Sequence, residues 1–472
     1  MPDIQFGTDG WRGVIADDFT FANVARVAQA AADHWAAHAA PGTNRRVVIG
    51  YDRRFLSTEF ARLTAEVFAG NDFEVILTPD PTPTPCVSFA VKQMQAAGGV
   101  MITASHNPPR FNGFKLKASF GGSSDPTECK AVEALLDASP VRRWPFTDAV
   151  KSRRIRNQDV RPAHFAAIKR LVDFPLIGRS GLRVGHDALF GVGAGCFEQL
   201  LAGTTCRVLA LNSANDPLFG GLNPEPVAKN YRLGAAQLRR QPQDICLVTD
   251  GDSDRLGAMD GRGGAFTNQE VIALLLHHLV RHRGKRGRVV KTINTTAMLD
   301  RMCAAWGLPL TEVGIGFKYI ATEMLRGDVF YGAEESGSIG FGGHIPERDG
   351  LAAGLHLLEL LAVERVPVRR ILARLDKEFG PHHYGRLDAA VPLAQREVLL
   401  KRLKADPPAR LGRSPVIAVK TFDGVKFEAA SGAWLGLRGS GTEGVLRIYA
   451  EAPSETALAA LLRQGAKLAR QS

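Results

Sequence analysis

Three stretches of this chain gather side chains that could do chemistry together. In Thr249-Asp250-Gly251-Asp252-Ser253-Asp254-Arg255, three carboxylates stand at alternate positions. Packed so closely, they repel one another unless a cation lies among them. Hard oxygen donors at this spacing suit a divalent ion, and Gly251 allows the sharp backbone path they need. In Arg438-Gly439-Ser440-Gly441-Thr442-Glu443-Gly444, glycines free backbone N–H groups to point inward while Arg, Ser and Thr add donors. That composition makes a concave anion site; a hairpin turn would explain the glycines but not the donors. In Gly98-Gly99-Val100-Met101-Ile102-Thr103-Ala104-Ser105-His106-Asn107-Pro108-Pro109, a hydroxyl stands beside an imidazole on a loop stiffened by two prolines. Such a loop at a strand's carboxyl end is where open α/β sheets carry their chemistry. The same residue types also build a plain turn, and residue types alone leave both readings open. A fourth group, Tyr331-Gly332-Ala333-Glu334-Glu335-Ser336-Gly337, offers Glu334 and Ser336 at a strand end. They suit paired hydrogen bonds to hydroxyls, or the cap of a helix.

Short apolar strands position these groups. Residues 100–102 lead to Ser105, 245–248 to Asp250 and 329–330 to Glu334. Before the first, a glycine-punctuated loop, Phe6 to Gly13, precedes a helical pattern over 22–37. A strand over 47–51 ends in Asp52-Arg53-Arg54. The four prolines in 79–85 demand an extended connector. Strand and helix alternate as in an α/β domain, here expected over 1–150. A second α/β unit over 151–258 contains the loop Phe190 to Gly195. Its GxG at a helix start lacks the acidic residue about twenty positions on that dinucleotide binding requires, so close backbone packing is the preferred account. A third unit covers 259–376. From about Gly380 the texture changes, and the segment Pro407 to Asp423, with short strands and little helix until Ser454, predicts a smaller α+β domain over 377–472 that ends in a helix over 455–469. The fold class is therefore α/β, three similar α/β/α domains with mixed sheets plus a C-terminal α+β domain around a central cleft.

Thr103 to Pro108, followed by Asn112-Gly113-Phe114-Lys115, resembles the phosphoserine loop of the α-D-phosphohexomutase family, which includes phosphoglucomutases and phosphomannomutases. The other three groups resemble further motifs of that family in the right order, so the resemblance covers nearly the whole chain. It implies that Ser105 carries a phosphoryl group, with His106 beside it and Arg12, Lys115 and Arg255 close by as catalytic groups. It implies one Mg2+ on Asp250, Asp252, Asp254 and the Ser105 oxygen. Lys318, delivered by the glycine turn Gly314-Ile315-Gly316-Phe317, faces the site by the same likeness. Glu334 and Ser336 would bind the hexose, and Arg438, Ser440, Gly441, Thr442 and Arg447 its phosphate.

The sequence also departs from the family. Many relatives have His two residues after the matching Ser, where this chain has Ser338, and most have Pro where Gly444 stands. Gly343-His344-Ile345-Pro346-Glu347-Arg348-Asp349-Gly350 resembles instead a phosphoglucomutase-like, bacterial-type branch. That favours glucose and leaves the general acid/base open, with His344 and Arg348 expected at the substrate as candidates for orienting or proton-handling roles.

Rival chemistries are constrained. An EF-hand is excluded, because Arg255 occupies its glycine position and Gly261 its bidentate glutamate position. A phosphatase of the haloacid-dehalogenase type also places a DxD after a strand, its first Asp being the nucleophile; the third Asp followed by Arg favours the mutase pattern. The net charge of +11 could mark a nucleic-acid binder. Its densest basic run, Arg281 to Arg288, carries no interleaved aromatic residues, so nucleic acid is not an expected partner. No apolar run approaches the ~18 residues of a membrane span, and the N-terminus shows no secretory pattern. Six scattered cysteines without CxxC spacing fit a reducing cytoplasm. The expectation is a cytoplasmic monomer or weak homodimer that interconverts glucose 1-phosphate and glucose 6-phosphate. A hexose 1,6-bisphosphate would serve as intermediate and activator. Mannose or glucosamine phosphates are the alternative substrates.

Overall fold

The computed structural model describes residues 4–7, 9–38, 43–439 and 445–470. Four sheets follow one another along the chain. In the first, strands Ala96–Ile102, Asn44–Tyr51, Glu74–Leu77 and Ile155–Asn157 run parallel, so the sheet extends past residue 150. Phe111–Ala118 and Trp11–Val14 then add antiparallel strands beyond Ala96–Ile102. The second and third sheets share one plan. Arg207–Leu211, Arg183–Asp187 and Ile245–Thr249 are parallel, with Leu256–Asp260 antiparallel at the edge. Likewise Leu310–Val313, Arg288–Thr292 and Val329–Glu334 are parallel, and Ser338–Phe341 is antiparallel.

All three sheets thus contain the same device: a fully buried parallel strand, a polar loop, and an antiparallel return. The loops after Ala96–Ile102, Ile245–Thr249 and Val329–Glu334 carry Ser105, the three aspartates, and Glu335 and Ser336. Strands covered on both faces read as unbroken apolar runs, which is why these segments stand out in the sequence.

One apolar core joins the second and third sheets to the helix Thr84–Gln93 of the first, and a separate core lies within the first unit. The helix Gly350–Glu364 runs through the shared core and is buried continuously over residues 350–362. A helix apolar on all sides has no solvent face to offer. Its N-cap is Asp349, whose carboxylate accepts the N–H groups of Leu351 and Ala352.

The fourth sheet has six antiparallel-paired strands, in the order His383–Ala390, Val445–Ala452, Trp434–Gly439, Val425–Ala429, Ser414–Lys420 and Arg410–Leu411. Helices Leu393–Ala405 and Glu455–Ala469 pack on it. The first of these ends ahead of Pro407 and did not stand out in the sequence. Its buried residues are only Arg396, Leu399 and Leu403, a stripe too narrow to show as helical periodicity. The basic run after helix Asn268–Arg281 is a connection, as expected, and its ends are paired: Arg281 with Glu378, Arg283 with Glu359, and Arg288 with Asp328. Among the described residues, no helix is long and apolar enough to cross a membrane.

Candidate active site

Ser105 sits at the end of a chain of anchors. The Thr103 hydroxyl donates to Asp52 at 2.6 Å and accepts the Ser105 N–H at 2.9 Å. Arg54 donates from one terminal nitrogen to the carbonyls of Ser105 and Asn107, at 2.8 and 2.7 Å. From the other it donates to those of Pro108 and Phe111, at 2.8 and 2.9 Å. Its Nε is 3.1 Å from Asp52. The planar five-donor fork suits this task as no ammonium could. The anchors hold Ser105 buried and in the left-handed region, with φ of +53°. Non-glycine residues keep that conformation only where the surroundings over-determine it.

The second sheet's loop meets Ser105 directly. Ser105 Oγ donates to Asp250 Oδ2 at 2.9 Å. A Cβ at Gly251 would lie 2.4 Å from the Ser105 carbonyl oxygen, so only glycine permits this approach. Asp250, Asp252 and Asp254 are completely buried, and one oxygen from each lies within 4.8 Å of the others.

Cations line one side of the aspartates. Lys115 Nζ lies 2.8 Å from Asp252, 3.3 Å from Asp254 and 2.7 Å from Asp9. Arg348 Nε lies 2.7 Å from Asp254, and its Nη2 bonds Asp9. The Thr84 hydroxyl donates to Asp252 at 2.7 Å. Burial works to raise the Asp252 pKa, but Lys115 overrides it and holds the group well below the usual carboxylate range. Asp250 behaves oppositely, pushed well up by burial and then by the charges of Asp252 and Asp254. The Oδ1 atoms of Asp252 and Asp254 are buried without hydrogen-bond partners. Converging carboxylates with unused oxygens fit a hard divalent cation.

Arg255 follows the loop, its Nε 3.9 Å from both Asp250 and Asp254. Arg12 reaches the serine loop through Asn107 Oδ1 at 2.5 Å and stands 4.0 Å from Asp9. The His106 Nδ1 is 3.4 Å from Ser105 Oγ. Burial, and then the charges of Arg255 and Arg12, press the His106 pKa well below its ordinary value, which leaves the ring neutral.

The third sheet's loop closes on the same place. Arg255 and Ser338 form a β-bridge, and the Leu256 N–H donates to Gly337 O at 3.0 Å. Glu334 is buried, its pKa raised by burial against the pull of Arg255 and Arg348. Ser336 and Ser338 hydroxyls lie 2.9 Å apart. Glu335 is pushed up to about 7 by burial and by the neighbouring Glu334. Lys318, in the first turn of helix Phe317–Met324, lines a cavity of about 380 Å3 together with Asp9, Gly10 and Ser123.

The fourth unit reaches in through Arg438. Its Nε is 2.7 Å from Asp423 Oδ1, and Asp423 Oδ2 accepts the Ile315 N–H at 2.6 Å, just ahead of Lys318. Arg447 stands directly across from Arg438 on the adjacent strand. Ser440, Gly441 and Thr442 lie outside the described residues.

The structure therefore brings Ser105, His106, Arg12, Lys115, the three aspartates, Arg255, Arg348 and Glu334 together. Two assignments shift. Arg348 is committed to Asp254 and Asp9, and those carboxylates push its pKa well above the arginine range against the effect of burial. His344 is engaged elsewhere: its Nε2 bonds Asp349 at 3.0 Å, Asp349 also bonds His164 at 2.6 Å, and the ring stacks on Phe89. Neither is thereby free to handle the sugar's proton. Asp9, Asp52, Arg54 and Thr84 did not stand out in the sequence. Arg54 follows a parallel strand's carboxyl end, a position worth marking, but its contact with the serine loop depends on strand order.

Four family models match in order. Residues 3–142, 162–264 and 267–379 match the phosphoglucomutase/phosphomannomutase alpha/beta/alpha domains I, II and III, and 397–468 match the C-terminal domain. A phosphoglucomutase of Komagataeibacter xylinus is 27% identical over 95% of this chain and 87% of its own. A phosphoglucosamine mutase of Anaeromyxobacter dehalogenans is 30% identical over 95% and 94%. The crystal structure of a protein described as a phosphomannomutase, from Thermus thermophilus, superposes with a TM-score of 0.85 at 36% identity, covering 99% of both chains.

Proposed function

The chain belongs to the phosphoglucomutase/phosphomannomutase family of phosphohexomutases, and from that premise we propose that it interconverts glucose 1-phosphate and glucose 6-phosphate through a phosphate carried on Ser105. One observation carries the proposal: the Ser105 hydroxyl donates to Asp250 at the meeting point of the first and second sheets' loops, 2.9 Å apart.

Phosphoryl transfer depends on in-line positioning and charge neutralisation. Asp250, Asp252 and Asp254, with the Ser105 oxygen, would hold Mg2+, which when bound supplies electrophilic polarisation of the phosphoryl oxygens. The chain's own cations do the rest. Lys115, locked by Asp9 and Asp252, sets the aspartate loop against the serine loop. Arg12 and Arg255 face the transferred group and offset its charge. Glu334 and Ser336 grip adjacent hexose hydroxyls. Lys318, Arg438 and Arg447, with Ser440, Gly441 and Thr442, anchor the phosphate that does not react. In the first half-cycle a hexose hydroxyl forms the new O–P bond while the Ser105 O–P bond breaks, and the hydroxyl's proton ends on Ser105 Oγ. In the second, Ser105 Oγ forms the O–P bond while the other sugar O–P bond breaks, and the proton returns to the sugar oxygen. The bisphosphate then turns around, and its other phosphate returns to Ser105. A hexose 1,6-bisphosphate primes the resting serine.

Glucose is preferred on the likeness of residues 343–350 to a phosphoglucomutase-like branch and on Ser338 in place of the histidine of other branches. Six free cysteines agree with a reducing cytoplasm, where the chain would work as a monomer or weak homodimer. The deciding experiment is a coupled assay of glucose 1-phosphate conversion, with and without Mg2+ and the bisphosphate. Mannose 1-phosphate and glucosamine 1-phosphate are run beside it. Turnover of only one of those sugars would reassign the substrate within the family. Stoichiometric release of inorganic phosphate without an isomer would make the protein a phosphatase.

A further inference from the structure

Away from the aspartate loop, three groups of histidines and carboxylates converge, and their spacings tell them apart. Zinc bonds of about 2.0–2.1 Å to nitrogen and oxygen, arranged tetrahedrally, set neighbouring ligand atoms about 3.3 Å apart. His164 and His344 lie at 2.6 and 3.0 Å from one oxygen of Asp349, ordinary hydrogen-bond lengths, and that carboxylate already caps a helix. In the second group, Glu359 takes His278 at 2.8 Å on one oxygen. Its other oxygen takes the Asp173 N–H and Arg283, at 2.8 and 3.2 Å. Hydrogen bonds account for the first group; in the second, His356 Nδ1 lies 3.6 Å from the oxygen that takes His278, but all three residues are buried and both carboxylate oxygens are already engaged.

The third group is different. Nε2 of His282, in a hydrogen bond of 3.1 Å, and Nε2 of His277, at 3.7 Å, share one Glu364 oxygen, and the two distances bracket the tetrahedral edge. Five residues apart, the two histidines would point about 140° away from each other on a continuous helix. They meet at the end of helix Asn268–Arg281, where His282 is the C-cap and the Arg283 N–H turns back onto the His278 carbonyl. Their ring centroids are 5.4 Å apart. The other Glu364 oxygen accepts Arg374 at 2.6 Å, an outer contact of the kind that orients a ligating carboxylate. Side-chain exposures of 13, 23 and 12% for His277, His282 and Glu364 leave a route for an ion and a place for water.

We propose that His277, His282 and Glu364 bind one zinc-class divalent ion, linking the C-terminal ends of helices Asn268–Arg281 and Gly350–Glu364. Two imidazoles and a carboxylate select zinc and its transition-metal neighbours over Mg2+ and Ca2+, which prefer all-oxygen sites. The ion is independent of the aspartate loop and of the mutase reaction. Bound to the folded state alone, it stabilises the helix pair.

The test uses full-length, tag-free protein stripped with chelator and dialysed against micromolar ZnCl2 in excess Mg2+, with bound zinc counted by elemental mass spectrometry. Wild type should hold one more zinc per chain than the double variant His277→Asn with His282→Asn, while Asp252→Asn should keep that zinc. Cobalt loaded in its place should show the intense visible bands of a tetrahedral site in wild type and not in the variant. Glu364→Gln, a smaller change, should weaken zinc binding at least tenfold should the double variant fold poorly. Zinc should raise the melting temperature of wild type and leave the variants unmoved. Equal zinc stoichiometry in wild type and a folded histidine variant, or wild-type zinc that disappears with Asp252→Asn, overturns the proposal.

Discussion

Arg54 donates to the carbonyl oxygen of Ser105 at 2.8 Å, so the backbone of the candidate phosphate carrier is held by a side chain from a neighbouring strand. The same guanidinium takes three further carbonyls of that loop and pairs with buried Asp52.

Arg54→Met should therefore be costly twice over. It leaves Asp52 buried without its cation, a loss of about 3–5 kcal/mol, and releases Ser105 from its left-handed conformation. Arg54→Lys keeps the charge but not the fork. It should fold, with phosphorylation of Ser105 and turnover reduced roughly ten- to hundredfold, the scale of a 1–3 kcal/mol misplacement. Intact-mass measurement of the phosphoserine fraction, beside kcat, checks this. A lysine variant with wild-type turnover would show that the loop holds its shape unaided.

Asp252→Asn tests the aspartate loop. The substitution removes a charge that Lys115 and Thr84 both contact. Mg2+ affinity and phosphoryl transfer should fall together, because each cation was positioned against three carboxylates and now meets two. Calorimetric titration with Mg2+ and the coupled assay read the two effects. Normal turnover at trace Mg2+ would count against metal binding here.

Asp250, Asp252 and Asp254 were legible in the sequence because adjacent residues share their environment whatever the fold does. The loops carrying Ser105 and Glu334 were legible for the same reason, each being local; of the fourth motif only Arg438 and Gly439 are among the described residues. Asp9 and Arg54 were not. Arg54 meets the loop after Ala96–Ile102 only because its own strand, Asn44–Tyr51, lies beside that strand in the sheet. Strand order is a long-range property that a single sequence does not carry. Asp9 gains its meaning from Lys115 and Arg348, which approach from the first and third units. His344 shows the converse. Its motif placed it near a sugar loop, but Asp349 and His164 offered a closer buried partnership.

Glu335 makes stability depend on pH. Burial and Glu334 raise its pKa to about 7, against an ordinary 4.5. A carboxyl raised in the folded state stabilises the fold fully below the unfolded value, and that contribution is lost as pH climbs through the folded one. Stability should thus fall between about pH 4.5 and 7. A shift of this size is at most about 3 kcal/mol, and partial exposure lowers the expectation to ~1–2 kcal/mol. Glu335→Gln should flatten the difference in melting temperature between pH 5 and pH 8. An unchanged difference would mean that Glu335 ionises normally.

Arg438 is expected to act at a distance from the bond being exchanged. Its Nε is held by Asp423, which also accepts the Ile315 N–H, so one carboxylate ties Arg438 of the fourth unit to the turn before Lys318. The anchored phosphate is the one that does not react in that half-cycle. Removing one member of such a buried charge pair costs ~2–5 kcal/mol, roughly thirty- to several-thousand-fold in kcat/KM. Remote binding of this kind positions the attacking hydroxyl, so the loss appears in turnover as well as in affinity. Arg438→Ala should cripple transfer from phospho-Ser105 to glucose 6-phosphate. Transfer to water or to unphosphorylated glucose, slow in both proteins, should hardly change, because neither acceptor carries a phosphate to anchor. Asp423→Asn should produce a milder version of the same pattern, since the guanidinium stays but loses its brace. The measurement loads wild type and variants with phosphate on Ser105 and follows its decay with each acceptor. Equal losses for glucose and glucose 6-phosphate would place Arg438 in the reaction centre or the fold, and the anchor would be gone.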